Sequence, residues 1–208
     1  KKHNFGDIQK LAESNLIFGN IILENLQFLS PKKFINFSSV WENYNNIEDN
    51  HFNLYSVYKK NFRNIMLFYK KKYSNIKFYN LFISDTFGES DTRMKIINLL
   101  RLNYKKNKQT KIVSSQLFLN LINVEDINEA LKIILNRNIK EGDFNLVNPD
   151  NFLISKIINE HNKINNKKIT IKWESKKKIK DKIYKKKKLP YWYPKNSKMK
   201  HILDIIKQ

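Results

Sequence analysis

The chain has 208 residues, 41% hydrophobic and 13% aromatic, which is enough apolar material for a folded core and excludes a disordered chain. It has no cysteine, which excludes disulfide frameworks, thiolate metal sites and cysteine nucleophiles, and no apolar run approaches the ~18 residues of a membrane span. The net charge of +21 rests on 36 Lys against 4 Arg beside 30 Asn and 28 Ile, a set with A/T-rich codons, so codon bias accounts for it better than a selected phosphate-binding surface, which favours Arg.

In chain order the pattern alternates helix and strand. The opening Lys1-Lys2-His3-Asn4 has no signal-peptide features and no initiator Met, which points to a true beginning further upstream. Apolar Ile8, Leu11, Leu16, Ile17, Ile21, Ile22 and Leu26 recur near 3.6 spacing and predict a helix from Asp7, as N-cap, to about Leu29. Phe34 to Phe37 reads as a buried strand opening into Ser38-Ser39, Asn53 to about Lys72 as a long helix, and Ile76 to Phe82 as a second strand with Thr86-Phe87-Gly88 as a loop. A helix over Asp91 to about Tyr104, a strand over Leu117–Val124 and a helix over Asp126–Leu135 follow. Then come a strand over Phe144–Val147, a helix opened by Pro149-Asp150 and running to about His161, and a last strand over Ile169–Trp173. Ser175–Lys188 is Lys-rich and reads as a solvated loop or frayed helix, with a phosphate-attracting arm as the sharper alternative. Pro190 to Lys195 reads as a packed segment before a short helix over Met199–Ile206. Strands alternating with helix-sized segments predict an α/β fold with a parallel sheet.

Tyr55 and Lys59, at i and i+4, share one helix face. A tyrosine hydroxyl, with an ordinary pKa near 10, works as an acid–base at neutral pH only if its phenolate is stabilised by roughly 4 kcal/mol, and a neighbouring ammonium does this directly. The spacing alone is unspecific, because Tyr73/Lys77, Tyr104/Lys108, Tyr184/Lys188 and Tyr191/Lys195 share it. Context singles out Tyr55: a strand ending in Ser38-Ser39 precedes its helix, and Tyr55 falls in the first turn, close to the strand edge where open α/β sheets bind ligands. A Ser donor, a Tyr acid–base and a supporting Lys form a complete apparatus for hydride transfer at a carbonyl.

From Phe34 onward the chain resembles the extended short-chain dehydrogenase/reductases, the NAD-dependent epimerase/dehydratase family acting on nucleotide sugars. Phe34-Ile35-Asn36-Phe37-Ser38-Ser39 resembles the strand ending in the catalytic Ser/Thr, and Asn53 to Lys59 the Tyr-x-x-x-Lys helix. Leu81 to Gly88 resembles the strand leading to an Asn-x-Tyr-Gly loop, and Ile122 to Ile127 the Val-x-Val-Asp-Asp-Val stretch. Phe144 to Val147 is similar to the Tyr-Asn-Val-Gly strand, and Trp192 to Leu203 to the C-terminal Trp-x-Pro-Lys helix. Ser38 to Glu42 and Asp85 to Arg93 are most similar to nucleotide-sugar 4-reductases of the CDP-abequose synthase type. Val40-Trp41 replaces the Asp-Glu pair that follows the catalytic Thr in 4,6-dehydratases, with Glu42 one position further on, which leaves reductase or epimerase.

The resemblance implies a Rossmann-like doubly wound parallel sheet lacking its first strands, with a smaller C-terminal substrate-binding α/β part. Residues 1–115 would carry the second half of the cofactor domain and residues 116–208 the substrate part, interleaved with it. It implies Ser39, Tyr55 and Lys59 as catalytic residues, Ser38, Tyr55, Lys59 and Thr86 at an NAD or NADP cofactor, and Phe87, Gly88 and Arg93 at a nucleotide-sugar substrate, with no metal. It further implies a homodimer through the Asp7–Leu29 and Asn53–Lys72 helices, no membrane or nucleic-acid partner, and a cytoplasmic enzyme supplying sugars for surface polysaccharide. Two departures stand out. Gly6, Gly19, Gly88 and Gly142 form no Gly-x-x-Gly-x-x-Gly turn, so a nucleotide-binding half is expected upstream, and Leu119 replaces an Arg that contacts the diphosphate, for which Arg93 is the substitute. The other readings are a basic nucleic-acid-binding protein and an inactive truncated remnant of the family.

Overall fold

The computed structural model describes residues 3–180 and 187–208. Its contacts divide the described residues into two compact units, each assembled from separate stretches of sequence: 3–83 with 134–145 and 187–190, and 84–133 with 146–180 and 191–208. This division is one of contact, whereas the division expected at 115/116 is one of function.

The first unit begins with a helical run made of α1 (Phe5–Ala12), a π-helical turn over Glu13–Ile17, α2 (Phe18–Glu24) and α3 (Leu26–Leu29). The run starts before the expected Asp7. Asn4 is the N-cap and accepts from the Asp7 N–H at 2.8 Å, while the Asp7 carboxylate accepts from the Asn4 N–H, so Asp7 is the third residue of a capping box. β1 (Lys33–Ser39), a 3-10 stretch over Val40–Asn46, α4 (Leu54–Lys72) and β2 (Lys77–Ile83) follow as a strand–helix–strand unit. β1 and β2 are parallel, with Asn36 opposite Asn80 and Ser39 opposite Ile83, and the Asn36 side-chain amide donates to Asn80 Oδ1 at 2.7 Å.

Leu23 and Leu26 from the N-terminal run, Phe62, Met66 and Tyr69 from α4, and Ile76 and Phe78 at β2 form this unit's apolar core. Gly19 is where α2 meets α4: a Cβ placed there would stand 2.2 Å from a ring carbon of Phe62. Later chain returns to complete the unit. The Lys33 ammonium caps the C-terminal carbonyls of a helix by donating to Ile134 O at 2.6 Å and Leu135 O at 2.9 Å, and the Tyr79 hydroxyl donates to Ile139 O at 2.7 Å.

The second unit contains β3 (Asp85–Phe87), α5 (Ile96–Lys105), β4 (Thr110–Ile112), β5 (Leu117–Leu119) and β6 (Leu121–Asn123). From β6 the chain enters α6 (Val124–Asn136), whose end lies in the first unit, and then β7 (Gly142–Leu146), which joins β1 and β2 in the order β1-β2-β7. β8 (Phe152–Leu153), α7 (Ile154–Ile164), β9 (Ile171–Trp173), β10 (Ile179–Lys180) and α8 (Met199–Lys207) complete the chain. β3 pairs with β6 and β4 with β9 in parallel, and β5 lies between parallel β10 and antiparallel β8. Phe87, Ile97, Leu100, Leu121, Ile157, Ile202 and Ile206 lie at the centre of its core.

Five expectations are corrected. Thr86 and Phe87 are in a strand rather than a loop, because Asp85–Phe87 pairs with Leu121–Asn123. Residues 91–95 are not helical: the Asp91 carboxylate accepts from the Arg93 N–H and side chain, a local bond that competes with helix, and α5 starts at Ile96. The single strand over Leu117–Val124 is two strands in different sheets, broken at Asn120, whose side chain bonds Asn148 and Asn151. Phe152-Leu153 is a strand, so α7 begins at Ile154 rather than near Pro149. Ile179–Lys180, within the expected loop or frayed helix, pairs with Leu117-Phe118, and the rest of that Lys-rich segment at 181–186, with Tyr184, lies outside the described residues.

Candidate active site

In the first unit, β1 ends at Ser38-Ser39, both buried. Ser39 takes extended backbone angles and caps the 3-10 stretch, its Oγ accepting from the Trp41 N–H at 3.2 Å. Among the described residues Ser38 Oγ, also buried, finds no hydrogen-bond partner. The following loop is tied by tilted packing of the Trp41 and Tyr44 rings on Phe52, with ring centres 4.9 and 4.7 Å away, and by the Tyr44 N–H donating to Asn50 O at 2.7 Å. Asn45, Asn46 and Asp49 take left-handed angles, which their short polar side chains tolerate.

Asn53 then caps α4, accepting from the Ser56 N–H at 3.0 Å while Ser56 Oγ accepts from the Asn53 N–H. The cap fixes the first turn and with it Tyr55, the second residue of the helix. Because β1 and β2 are parallel and α4 connects them, that first turn follows the C-terminal edge where Ser39 and Ile83 end. Lys59, one turn on, places its Nζ 5.6 Å from the Tyr55 ring centre. Burial pushes the Lys59 ammonium below its ordinary proton affinity, and the nearby Glu42 carboxylate acts in the opposite sense. The structure therefore brings Tyr55 and Lys59 together as the spacing requires, in the unit that holds Ser38 and Ser39.

The sequence does not mark the other buried polar groups of this unit. Glu42 has no exposed surface, and among the described residues neither of its oxygens has a hydrogen-bond partner. Burial pushes its carboxyl up to about 7, although the charges of Arg63 and Lys60 and the Ser39 backbone N–H pull the other way. Arg63, one turn beyond Lys59 on α4, is ion-paired with Asp143 of β7 at 2.6 Å.

The remaining predicted residues lie in the second unit. Thr86 Oγ1 accepts from the Arg93 guanidinium at 2.8 Å, so those two are neighbours. The same guanidinium grips the Asp91 carboxylate at 2.7 and 2.8 Å, which holds that carboxyl below its usual range. Arg93 thus already has a counter-ion. Phe87 is buried in the apolar cluster, and Leu119 is buried there too, as an apolar residue in place of an Arg would be. Gly88, Asp91, Arg93, Asn123, His201 and Asp204 are among the residues lining a cavity of about 740 Å³. Among the described residues no group of three or more His, Cys, Asp or Glu can hold a metal ion, and no helix is long and apolar enough to cross a membrane.

The chain's own residues suit one end of a dinucleotide. The orphaned Ser38 hydroxyl and the Tyr55–Lys59 pair offer hydrogen bonds and a cation at a ribose and a nicotinamide. The pyrophosphate end has no counterpart, because the four glycines form no Gly-rich turn.

Residues 1–147 match the family described as "NAD dependent epimerase/dehydratase family". Among solved structures, the UDP-N-acetylglucosamine 4-epimerase of Methanobrevibacter ruminantium M1 is similar with a TM-score of 0.77 at 12% identity, over 97% of this chain and 70% of that one. The UDP-glucuronic acid 4-epimerase of Bacillus cereus, solved with UDP-glucuronic acid and NAD, gives 0.76 at 17% identity over 97% and 70%. The dTDP-glucose 4,6-dehydratase of Bacillus anthracis strain Ames, solved with NAD, gives 0.74 at 16% identity over 93% and 67%. At these identities the likeness establishes the Rossmann-like α/β fold. A search of curated proteins finds no match.

Proposed function

The chain belongs to the NAD dependent epimerase/dehydratase family, and from that premise we propose that it is a nucleotide-sugar oxidoreductase whose working residues are Ser39, Tyr55 and Lys59. The observation that carries this reading is the Lys59 ammonium 5.6 Å from the centre of the Tyr55 ring, in the first turns of the helix that follows the Ser38-Ser39 strand end.

Bound NAD supplies the hydride acceptor and donor. Tyr55 holds the proton that enters or leaves the reacting sugar oxygen. Lys59 favours the phenolate by its charge and, with Ser38, reaches the ribose side of the cofactor. The N-terminal turn of α4 adds a partial positive charge beside Tyr55. Ser39 donates to the reacting oxygen and orients it. Thr86 completes the cofactor side, and Phe87, Gly88 and Arg93 the sugar side, with Arg93 exchanging Asp91 for a diphosphate. Residues 1–115 then carry the cofactor side and the Ser/Tyr/Lys site, with Phe87, Gly88 and Arg93 reaching the sugar, and 116–208 supply the rest of the substrate part.

Within the family, the Ser38–Glu42 and Asp85–Arg93 stretches favour reduction or epimerisation of a 4-keto deoxysugar nucleotide, as in the CDP-abequose synthase type, for surface polysaccharide in the cytoplasm. The same reading includes a homodimer. The N-terminal run leaves Phe5, Ile17, Phe18, Phe28 and Leu29 exposed, and α4 leaves Phe68 exposed.

The test is Tyr55→Phe in the full-length enzyme, assayed with 4-keto nucleotide sugars, with NAD and NADP titrated separately. Turnover is expected to fall by about 10³-fold, since the general acid–base is removed, with cofactor binding largely intact. Retained turnover overturns the assignment.

A further inference from the structure

Tyr55, Lys59 and Arg63 follow one another at four-residue spacing along one side of α4. The first two form the pair described above, and the third reaches the sheet. Arg63 places its Cζ 5.4 Å from the centre of the Phe82 ring on β2, and its Nη2 2.6 Å from Asp143 Oδ2 on β7. One side chain thus ties α4 to two adjacent strands. Phe82 is buried and stands directly opposite Ser38 in the β1–β2 ladder, so Arg63 grips the sheet beside the strand end that carries Ser38-Ser39.

Stability alone does not account for this tie. The Arg63 side chain is 14% exposed, and its Nε is buried with no hydrogen bond among the described residues. Taking both charges out of water is costly, and an apolar pair of similar volume is often as stable or more so. What the ion pair adds is direction, since a charge-assisted hydrogen bond favours one rotation of the helix on the sheet. The apolar contacts of α4, through Phe62, Met66 and Tyr69, are non-directional. The pairing also settles which acid belongs to which cation. Lys60 takes Asp49 at 2.7 Å and Arg63 takes Asp143, which leaves the Lys59 ammonium to the Tyr55 ring, 5.6 Å away.

We propose that Arg63 is a positioning residue, whose link to Asp143 across Phe82 sets the rotation of α4 and so holds Lys59 over the Tyr55 ring. The proposal rests on the reading of Tyr55 and Lys59 given above. Arg63 acts through the helix rather than on substrate or cofactor. Without the link, α4 turns on its apolar contacts and carries Lys59, one turn away, with it. A displacement of about 1 Å at groups that must meet a reacting atom is enough to cost about 10²-fold in rate.

Arg63→Met keeps a long stem on Phe82 and removes the charge, while Asp143→Asn removes the charge at the more exposed end. In the full-length enzyme, kcat is expected to fall about 100-fold in Arg63→Met and about tenfold in Asp143→Asn, with KM unchanged. Arg63→Lys, whose ammonium can still pair with Asp143, is expected to hold kcat within about threefold of wild type. A readout free of turnover is the Tyr55 signal in protein labelled with [ζ-13C]tyrosine, assigned by its absence from Tyr55→Phe. That signal is expected to shift in Arg63→Met while the Tyr104 signal stays in place. A folded Arg63→Met with wild-type kcat overturns the proposal, as does an unmoved Tyr55 signal or a loss of kcat that Arg63→Lys shares in full. If Arg63→Met does not fold, Asp143→Asn decides by the same two readouts. Retained turnover in Tyr55→Phe would remove the enzyme reading alone, and the Tyr55 signal would still decide whether Arg63 positions the pair.

Discussion

Glu42 and His161 are both fully buried, and they tilt stability with pH in opposite directions. The Glu42 carboxyl titrates at about 7 in the fold against 4.5 ordinarily, so between those values the folded chain holds the extra proton. Stability from this group is therefore fully present below about 4.5 and is lost as pH rises to about 7. At about 1.4 kcal/mol for each tenfold change in proton affinity, the loss is about 3 kcal/mol. Glu42→Gln is accordingly expected to be more stable than wild type by about 1–3 kcal/mol at pH 8 and no more stable at pH 4.5, read by urea unfolding at the two values. His161 has the reverse sign: burial holds the imidazole below its ordinary 6.5, so the unfolded chain takes up the proton first and stability falls as pH drops below 6.5. His161→Phe, which keeps a ring against Tyr104, is expected to flatten the decline in Tm between pH 7 and 5. The sequence makes Tyr55 and Lys59 legible because they share a helix face. Glu42 and His161 leave no such mark, since their burial comes from elements distant in the chain.

At the scale of elements, packing between α2 and α4 turns on Gly19. Alanine has the higher helix propensity by about 1 kcal/mol, yet a Cβ would meet the buried Phe62 ring at 2.2 Å. Gly19→Ala is expected to destabilise the protein by about 1–3 kcal/mol in urea unfolding, and pairing it with Phe62→Leu should recover part of the loss. A stabilised Gly19→Ala would mean that the helices separate without cost. The start of α6 shows a second kind of junction. Asp126, buried, accepts from the Lys195 and Asn196 backbone N–H groups at 2.9 Å and from Ser197 Oγ, while its own carbonyl accepts from the Trp192 indole at 2.7 Å. These bonds hold Trp192 and residues Lys195–Ser197 to the start of α6, but Tyr191 and Tyr193 are exposed, so the segment from Pro190 to Lys195 is packed only in part. Hydrophobic pattern finds each long helix because many positions vote on the period, but it misplaces the starts of α5 and α7 by five residues. It fails where two or three residues decide: the break at Asn120 and the short strands at Asp85–Phe87, Thr110–Ile112 and Phe152-Leu153 arise from pairing partners that local pattern does not contain.

For the whole molecule, the proposed homodimer and the alternative of a nucleic-acid partner would respond to salt in opposite ways, given the charge of +21. Each compact unit is drawn from several separate stretches, an interleaving that composition does not reveal, so chain-wide charge is a better guide here than segment-by-segment reading. Bringing two chains of like charge together is opposed by long-range repulsion, which screens within about 10 Å at 0.1 M salt. A homodimer held by exposed Phe18, Phe28 and Phe68 should therefore tighten as salt rises from about 0.05 to 0.5 M. Binding to a nucleic acid would do the reverse, since counterion release weakens it steeply with salt. Sedimentation across that range, with and without an added RNA oligonucleotide, separates the two. The expected outcome is a dimer that strengthens with salt and is converted to monomer by combined Phe18→Asp and Phe68→Asp changes, with RNA binding confined to the lowest salt. An RNA complex that persists at about 0.5 M would instead assign the excess lysines to a polyanion surface, and the codon-bias account of the charge would fall with it.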